Sequence, residues 1–425
     1  RIGALTHSYG KHSSLNFQQI KDKDSDDRLA HKRDEFHLPS GRIYLNGNSL
    51  GPLPLRAKQR ARELVEQQWG EDLVASWNTH GWIDMPFTAG EKIAALIGAG
   101  PQQVLCCDSI SINLFKLLAV CLQLQSGRRV VLSQQDNFPT DLYAAHGLQQ
   151  LLGENRCELK AVGADQLQQC LTEEVAVLFL THVNFRSGKL HDMPAIARQA
   201  QAQGILVVWD LAHSAGVLPL ALDAWGVDFA VGCGYKFLNG GPGAPAFIYA
   251  NRKHHDQFEQ PLQGWMGHAS PFEFDPGWEP AGGIAQFLTG TPTILSLATL
   301  DAALDVFDDI AIGDVRAKST ELSSLFLALV ESHDELKDLV PESPRDSAQR
   351  GSQLAFSHPQ AYGICRALSA EGVIADFRSP DLLRLGFSPL ILTYEDIWRS
   401  VEILAKVVGK GSYKAGEFNR RLKVT

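Results

Sequence analysis

A chain of 425 residues with 44% hydrophobic and 20% charged content can bury a large core and is expected to divide into two or three domains. Its formal net charge of −9 and the lack of any basic block interleaved with aromatics argue against a nucleic-acid partner. No apolar run approaches the roughly 18 residues that a membrane span needs. The seven cysteines form no Cys-x-x-Cys pair and no cluster with histidine. They are expected to be free thiols of a reducing cytosol, and no metal site is predicted. The segment up to Arg33 has no signal-peptide core, so a cytoplasmic location is expected.

The run 22–27, rich in Asp, is most simply a solvated charge run. Residues 55–69 place Ala57, Ala61, Leu64, Val65 and Trp69 at helical spacing. The middle of the chain then reads as repeated strand, loop and helix. Strands are predicted over 129–133, 175–180, 205–209, 228–233 and 246–249. Their continuous apolar runs imply cover on both faces, as in a parallel or mixed α/β sheet. Pro194 opens a helix that Gly204 stops. Helices are expected over 295–310 and 319–332. A smaller α/β unit follows, with strands at 353–357, near 373–377 and at 382–385, and helices at 360–370 and 394–408.

In an open α/β sheet, ligands bind beyond the carboxyl ends of the strands. Those ends are followed here by Asn137-Phe138-Pro139-Thr140-Asp141, by Thr181-His182-Val183-Asn184, by Asp210 with His213 close behind, and by Tyr235-Lys236. A lysine in an apolar site can form a Schiff base with an aldehyde. Asp210 stands 26 residues before Lys236 and could pair with a pyridine nitrogen. Together they are the two partners that pyridoxal 5′-phosphate requires. Phe138 could stack on the ring. The phosphate would bind at Ile110-Ser111-Ile112-Asn113, with Ser111 capping a helix that begins near Asn113. Plainer readings compete: Asp210 as an ordinary cap, His213 as a core histidine, and Phe138, Tyr235 and Trp265 as core or surface aromatics.

These residues resemble the kynureninase family closely. The matching stretches are Tyr44-Leu45-Asn46-Gly47-Asn48-Ser49-Leu50-Gly51-Pro52, Ser111-Ile112-Asn113-Leu114, Asn137-Phe138-Pro139-Thr140-Asp141, Trp209-Asp210-Leu211-Ala212-His213, Trp225-Gly226-Val227-Asp228-Phe229-Ala230, Tyr235-Lys236-Phe237-Leu238-Asn239 and Gly264-Trp265. They run in colinear order over about residues 40–410. The resemblance implies a class V, fold type I pyridoxal phosphate enzyme of α/β class, transferase-like in fold. A large domain over 41–300 would carry a central, mostly parallel sheet covered by helices. Its N-terminal part could pack on a smaller α/β domain that would occupy 301–425, and 1–40 would be an N-terminal segment, partly flexible.

The implied reaction is hydrolytic cleavage of the Cβ–Cγ bond of L-kynurenine to anthranilate and L-alanine, in tryptophan catabolism, the kynurenine pathway and NAD biosynthesis. By resemblance Lys236 is the Schiff-base lysine and Asp210 the partner of the pyridine nitrogen. Ile110 and Ser111 line the phosphate end, Phe138 and Asp141 lie at the ring, and Thr181, His213 and Tyr235 surround it. Tyr235 is also a candidate for proton transfer near the γ-carbonyl or Cβ. Trp265 and Thr291 match positions that reach the phosphate from a second subunit, which implies a homodimer with a shared site. Arg384 matches the arginine that clamps the substrate α-carboxylate, a task suited to a bidentate guanidinium. Asn48 and His80 are candidate substrate-pocket residues. The run Thr289-Gly290-Thr291-Pro292 lacks the asparagine of the animal form, so 3-hydroxykynurenine is expected to be the poorer substrate. Other class V activities on the same scaffold are a cysteine desulfurase, an aminotransferase or an epimerase. A desulfurase would need a reactive thiol, for which Cys365 in a helical setting is a poor candidate.

Overall fold

The protein is described from a computed structural model over residues 16–423. Seven strands form the main sheet: β1 (Val104–Cys106), β2 (Val130–Gln134), β3 (Glu158–Val162), β4 (Val175–Thr181), β5 (Leu206–Asp210), β6 (Phe229–Cys233) and β7 (Ala246–Ala250). Their spatial order is β1-β7-β6-β5-β4-β2-β3. Strand β7 runs antiparallel to β1 and β6, and the remaining pairs are parallel. Strands β4 to β7 are buried along their whole length, as uninterrupted Val, Ile, Leu and Phe runs require when helices cover both faces.

The outer strands β1 and β3 escape sequence reading. The first is only three residues long, and Glu158 and Lys160 break the apolar run of the second. Helix α1 (Ile110–Leu124) packs across the sheet, and α2 (Pro139–Leu152) follows β2.

A second, antiparallel sheet contains β8 (Val340–Pro341), β9 (Gln353–Ser357), β10 (Asp376–Arg378) and β11 (Leu382–Gly386), in the order β8-β9-β11-β10. Helix α3 (Ile312–Ser332) is longer than its sequence pattern suggests, and α4 (Tyr394–Gly409) starts on a capping box at Thr393 and Asp396. The chain reaches this second unit from its amino end. Ile43–Tyr44 pairs in parallel with Val373–Ile374, and Asn46 bridges to Gly386.

The acidic run at 22–27 is not simply solvated. The Asp24 carboxylate accepts hydrogen bonds from the Tyr394 and Glu395 N–H groups at the start of α4, at 2.6 and 2.9 Å. Asp27 forms a buried ion pair with Lys318 at 2.7 Å. The first two contacts use free helix donors and the third a buried cation, so the run is an attachment point.

The segment 55–69 also differs from a simple core helix. An α-helix covers Leu55–Glu63 and a π-helix continues over Leu64–Trp69. Leu64 is buried, but Val65 and Trp69 are 46% and 55% exposed. The wider π-turn rotates them off the core stripe. Six of the seven cysteines are buried, and all seven are free.

Candidate active site

The carboxyl ends of β2, β4, β5 and β6 meet at one rim, because parallel pairing aligns them. Register sets Thr181 opposite Asp210, and Asp210 opposite Val231. Lys236 follows β6, and its Nζ lies 3.0 Å from His213 Nε2. His213 is wholly buried, and burial together with the nearby charges of Lys236, Arg384 and Arg378 pushes its pKa well below the ordinary value. A neutral His213 therefore accepts from the Lys236 ammonium. Its Nδ1 has no partner at hydrogen-bonding distance.

Two carboxylates lie beside this pair. Asp210 takes an N–H bond from Ala212 at 2.7 Å. Asp141 accepts a long contact from Thr181 Oγ1 at 3.5 Å, and its Oδ1 is buried without a partner. Burial, and then the charge of Asp210, raise the Asp141 pKa; burial also raises that of Asp210, opposed by Lys236. Two adjoining buried carboxyls with raised pKa values favour taking up one further positive charge, as a proton or an external cation, between them. A protonated pyridine nitrogen is such a cation, and the orphaned Asp141 oxygen is where an N–H donor fits. The residues present thus suit pyridoxal phosphate at its ring-nitrogen end.

Phe138 is 39% exposed at the rim and braced edge-on by Phe185, with ring centroids 5.1 Å apart. Sequence reading placed Asn137 at a strand end but gave it no role. Its Oδ1 accepts from the N–H groups of Phe138 and Thr181 at 2.8 and 3.2 Å, and also from the Thr181 hydroxyl. It ties the loop after β2 to the end of β4. Burial lifts the Tyr235 hydroxyl to a pKa of about 12, so it stays protonated.

At the phosphate end the helix begins earlier than expected. Helix α1 starts at Ile110, and Ser109 rather than Ser111 caps it, accepting from Ile112 N–H at 3.4 Å. Ile110 and Ser111 are the first two helical residues, whose N–H groups are left free for an anion. This correction moves the cap by two residues and keeps both candidates at the phosphate end.

The second sheet supplies the opposite wall. Asp376 and Arg384 face each other across β10 and β11. The carboxylate of Asp376 accepts from Arg384 Nε and Nη2 at 2.9 and 2.6 Å, and Arg384 Nη1 donates to Phe185 O at 2.6 Å. Arg378 also reaches Asp376, at 3.1 Å. Two guanidiniums share one carboxylate, so this wall keeps a net positive charge suited to a substrate carboxylate.

The segment 47–51 threads between the two walls. A side chain on Gly51 would meet Lys236 O at 2.2 Å, and one on Gly47 would meet Ser388 Oγ at 1.8 Å. Ser49 donates to Asp376 at 2.8 Å and accepts from Arg378 at 3.2 Å. Asn48 is buried and donates to Gln353 Oε1 at 3.3 Å, in space left by Gly386.

Three candidates are not joined to this cluster. His80 pairs with Asp72 at 2.7 Å. Trp265 lies on an exposed turn against Phe272 and Phe274, and Thr291 is exposed. Thr289 touches Asp108 at 3.4 Å, one residue before the α1 cap, which draws the turn leading to Thr291 toward the phosphate end of its own chain. A separate apolar cavity of about 830 Å³ runs along Leu50, Leu53, Val65 and Leu295, and its lining includes none of Lys236, Asp210, His213 and Arg384.

Known proteins are similar to this chain over nearly its whole length. A kynureninase from Deinococcus radiodurans is 48% identical over 400 residues, covering 93% of this chain and 97% of the relative. The chain belongs to the kynureninase family. A kynureninase from Burkholderia mallei is 47% identical over 408 residues, covering 95% and 98%. The family's description as a Kynureninase C-terminal domain matches residues 315–404, which include β9 to β11 with Asp376 and Arg384.

Among solved structures, this kynureninase-family chain is similar to cysteine desulfurases. One from Thermococcus onnurineus has a TM-score of 0.73 at 17% identity, covering 92% of this chain and 98% of that one. Another from Escherichia coli gives 0.75 at 18%, covering 90% and 99%. At such identities the likeness establishes the fold alone. Cys365 is buried in the helix Ala361–Ala370, and burial pushes its thiol up to about 12. It is no desulfurase nucleophile.

Proposed function

We propose that this chain is a pyridoxal phosphate-dependent hydrolase that cleaves L-kynurenine between Cβ and Cγ, giving anthranilate and L-alanine. The carrying observation is the meeting, in one cleft of a kynureninase-family chain, of Lys236 on His213 with the buried Asp141–Asp210 pair.

Asp210 and Asp141 would hold the pyridine nitrogen, Phe138 the ring face, Thr181 and His213 its surroundings, and the N–H groups of Ile110 and Ser111 the phosphate. The bound cofactor supplies an aldehyde for the substrate amine and an electron sink for the carbon that loses its proton. Lys236 then moves the Cα proton, kept in place by the neutral His213 acceptor. Arg384, held in place by Asp376, would orient the α-carboxylate. Tyr235, protonated by virtue of its burial, donates at the γ-carbonyl as water adds and anthranilate leaves, and a proton returned to Cβ completes alanine. Asn48 borders the substrate, whereas His80 is held on Asp72 at 2.7 Å, outside this cluster.

The exposed apolar residues Leu53, Val65, Trp69, Val74 and Leu295 support a homodimer, since faces of this kind mark interaction sites. In it Trp265 would reach the phosphate end of the partner's site. The Thr289–Asp108 contact favours a same-chain role for Thr291. Mixing Lys236→Ala with Trp265→Ala protein tests the shared site: regained turnover requires contributions from two chains, and none regained removes that reading.

Thr291 offers no amide to a ring hydroxyl, so unsubstituted kynurenine is the better substrate and 3-hydroxykynurenine the poorer. A higher kcat/KM for 3-hydroxykynurenine would refute this. The reaction belongs to tryptophan breakdown in the cytoplasm.

A further inference from the structure

Gln353 opens β9 and is 1% exposed. Antiparallel register pairs Gln353 with Gly386 and Ala355 with Arg384, so a period of two places Gln353 and Arg384 on the same face of the second sheet. From there the Gln353 amide crosses to the main sheet. Its Nε2 donates to Asn184 O and Phe185 O, both at 3.1 Å, and its Oε1 accepts from Asn48. Gly188, with φ of +71°, lies over it so closely that a side chain there would meet Gln353 Cγ at 2.8 Å.

The Phe185 carbonyl therefore receives both Gln353 and Arg384 Nη1, while its ring braces Phe138. Arg384 is fixed on one side by Asp376 and on the other by this carbonyl. The carbonyl has no other side-chain donor among the described residues.

We infer that Gln353 is a positioning residue for the α-carboxylate clamp: it holds the Phe185 carbonyl that aims Arg384 and keeps the 184–188 loop docked on the second sheet. This rests on the proposed role of Arg384. Without the Gln353 N–H donors, the loop loses its two bonds to β9 at residues 184 and 185, while the Gly351 N–H bond to Gly188 O at 2.8 Å and the Arg186 bond to Ser379 O at 2.6 Å keep its far end in place. Arg384 then keeps Asp376 and Ser49 but loses the fixed acceptor that sets its one remaining N–H, on Nη1, toward a ligand. The Lys236 chemistry is left untouched.

The test uses the cofactor-loaded enzyme and two amines, L-alanine and isopropylamine, which share the amine and differ in the carboxylate. Dissociation constants are read from the absorbance change of the bound cofactor. Gln353→Met keeps the shape and removes the donors. It is expected to weaken L-alanine about tenfold while leaving isopropylamine within about twofold and the spectrum without amine unchanged. Gln353→Asn, with its amide drawn back one methylene, is expected to give the same selectivity and serves if the methionine variant folds poorly.

Equal weakening of both amines would overturn the inference, since Gln353 would then act on Lys236 or His213. Unchanged binding with a lower melting temperature would also overturn it, leaving a purely structural strut. Arg384→Met is measured in parallel. If it fails to weaken L-alanine, the Arg384 reading falls and takes this inference with it; if only the Gln353 variants are silent, the Arg384 reading stands and this inference alone is lost.

Discussion

Gly51→Ala probes how tightly the amino-terminal segment is fitted against the catalytic lysine. The added Cβ would stand 2.2 Å from Lys236 O, 2.5 Å from Asn239 Oδ1 and 2.8 Å from Asn239 Cα. Two of these atoms are backbone, so no side-chain rotation relieves the clash. The backbone at Lys236 must retreat by about 1 Å, a displacement that can reduce turnover on the order of 100-fold. Overpacking of this kind also destabilises by about 1–3 kcal/mol. The Gly51 N–H bond to Tyr235 O, at 2.8 Å, ties the two segments and makes the displacement hard to avoid. Anthranilate release at saturating L-kynurenine gives kcat, and thermal unfolding gives the stability change. Gly147→Ala is the matched control: it lies inside α2 with nothing within 4 Å of the new Cβ, so it should keep full turnover and gain about 0.5–1 kcal/mol. Full turnover by Gly51→Ala would refute the claim that this glycine is required by contact with the lysine backbone.

Lys236→Ala should abolish turnover and remove covalent cofactor attachment; retained anthranilate release would sink the covalent role of Lys236. Asp376→Asn leaves Arg384 and Arg378 sharing a neutral partner. The loss of a buried ion-pair member should cost about 3–5 kcal/mol and raise KM, whereas unfolding in denaturant at the wild-type midpoint would contradict the pairing. His182 is buried against Ser214 Oγ at 2.8 Å, and burial drives its pKa down to about 3. The unfolded chain binds this proton below about pH 6.5, so the stability from neutral His182 is full above that pH and lost as pH falls toward 3. In His182→Asn the fall should be shallower by up to about 1.4 kcal/mol per pH unit. Parallel stability-versus-pH curves for the two proteins would rule out this origin.

The central strands were legible because parallel strands covered on both faces must be apolar without interruption, and Val175–Thr181 and Leu206–Asp210 satisfy that over their whole length. Edge strand Glu158–Val162 was not legible, since a half-exposed strand tolerates Glu158 and Lys160. The convergence of Lys236, Asp210 and Thr181 followed from the strand-end rule. Their supports did not. Asn137, Gln353, Asp376 and Phe185 act through hydrogen bonds and ring contacts to groups far away in sequence, and no local pattern announces such contacts. One signal was present: Asp376 and Arg384 are eight residues apart around a turn between two short apolar runs, an offset that a hairpin can bring into register. The glycines of the 47–51 segment were visible as a motif, but their reason, close approach to Lys236 and Ser388, exists only in three dimensions. The Ser109 cap was missed by two residues because Ser109 and Ser111 are equally good capping residues in sequence.

The most direct test is to incubate the pyridoxal phosphate-loaded protein with L-kynurenine and quantify anthranilate and L-alanine together. Equal amounts of the two products, both absent with Lys236→Ala, are the predicted result. A bound cofactor that reacts with the substrate amine while no anthranilate appears would contradict the proposed cleavage.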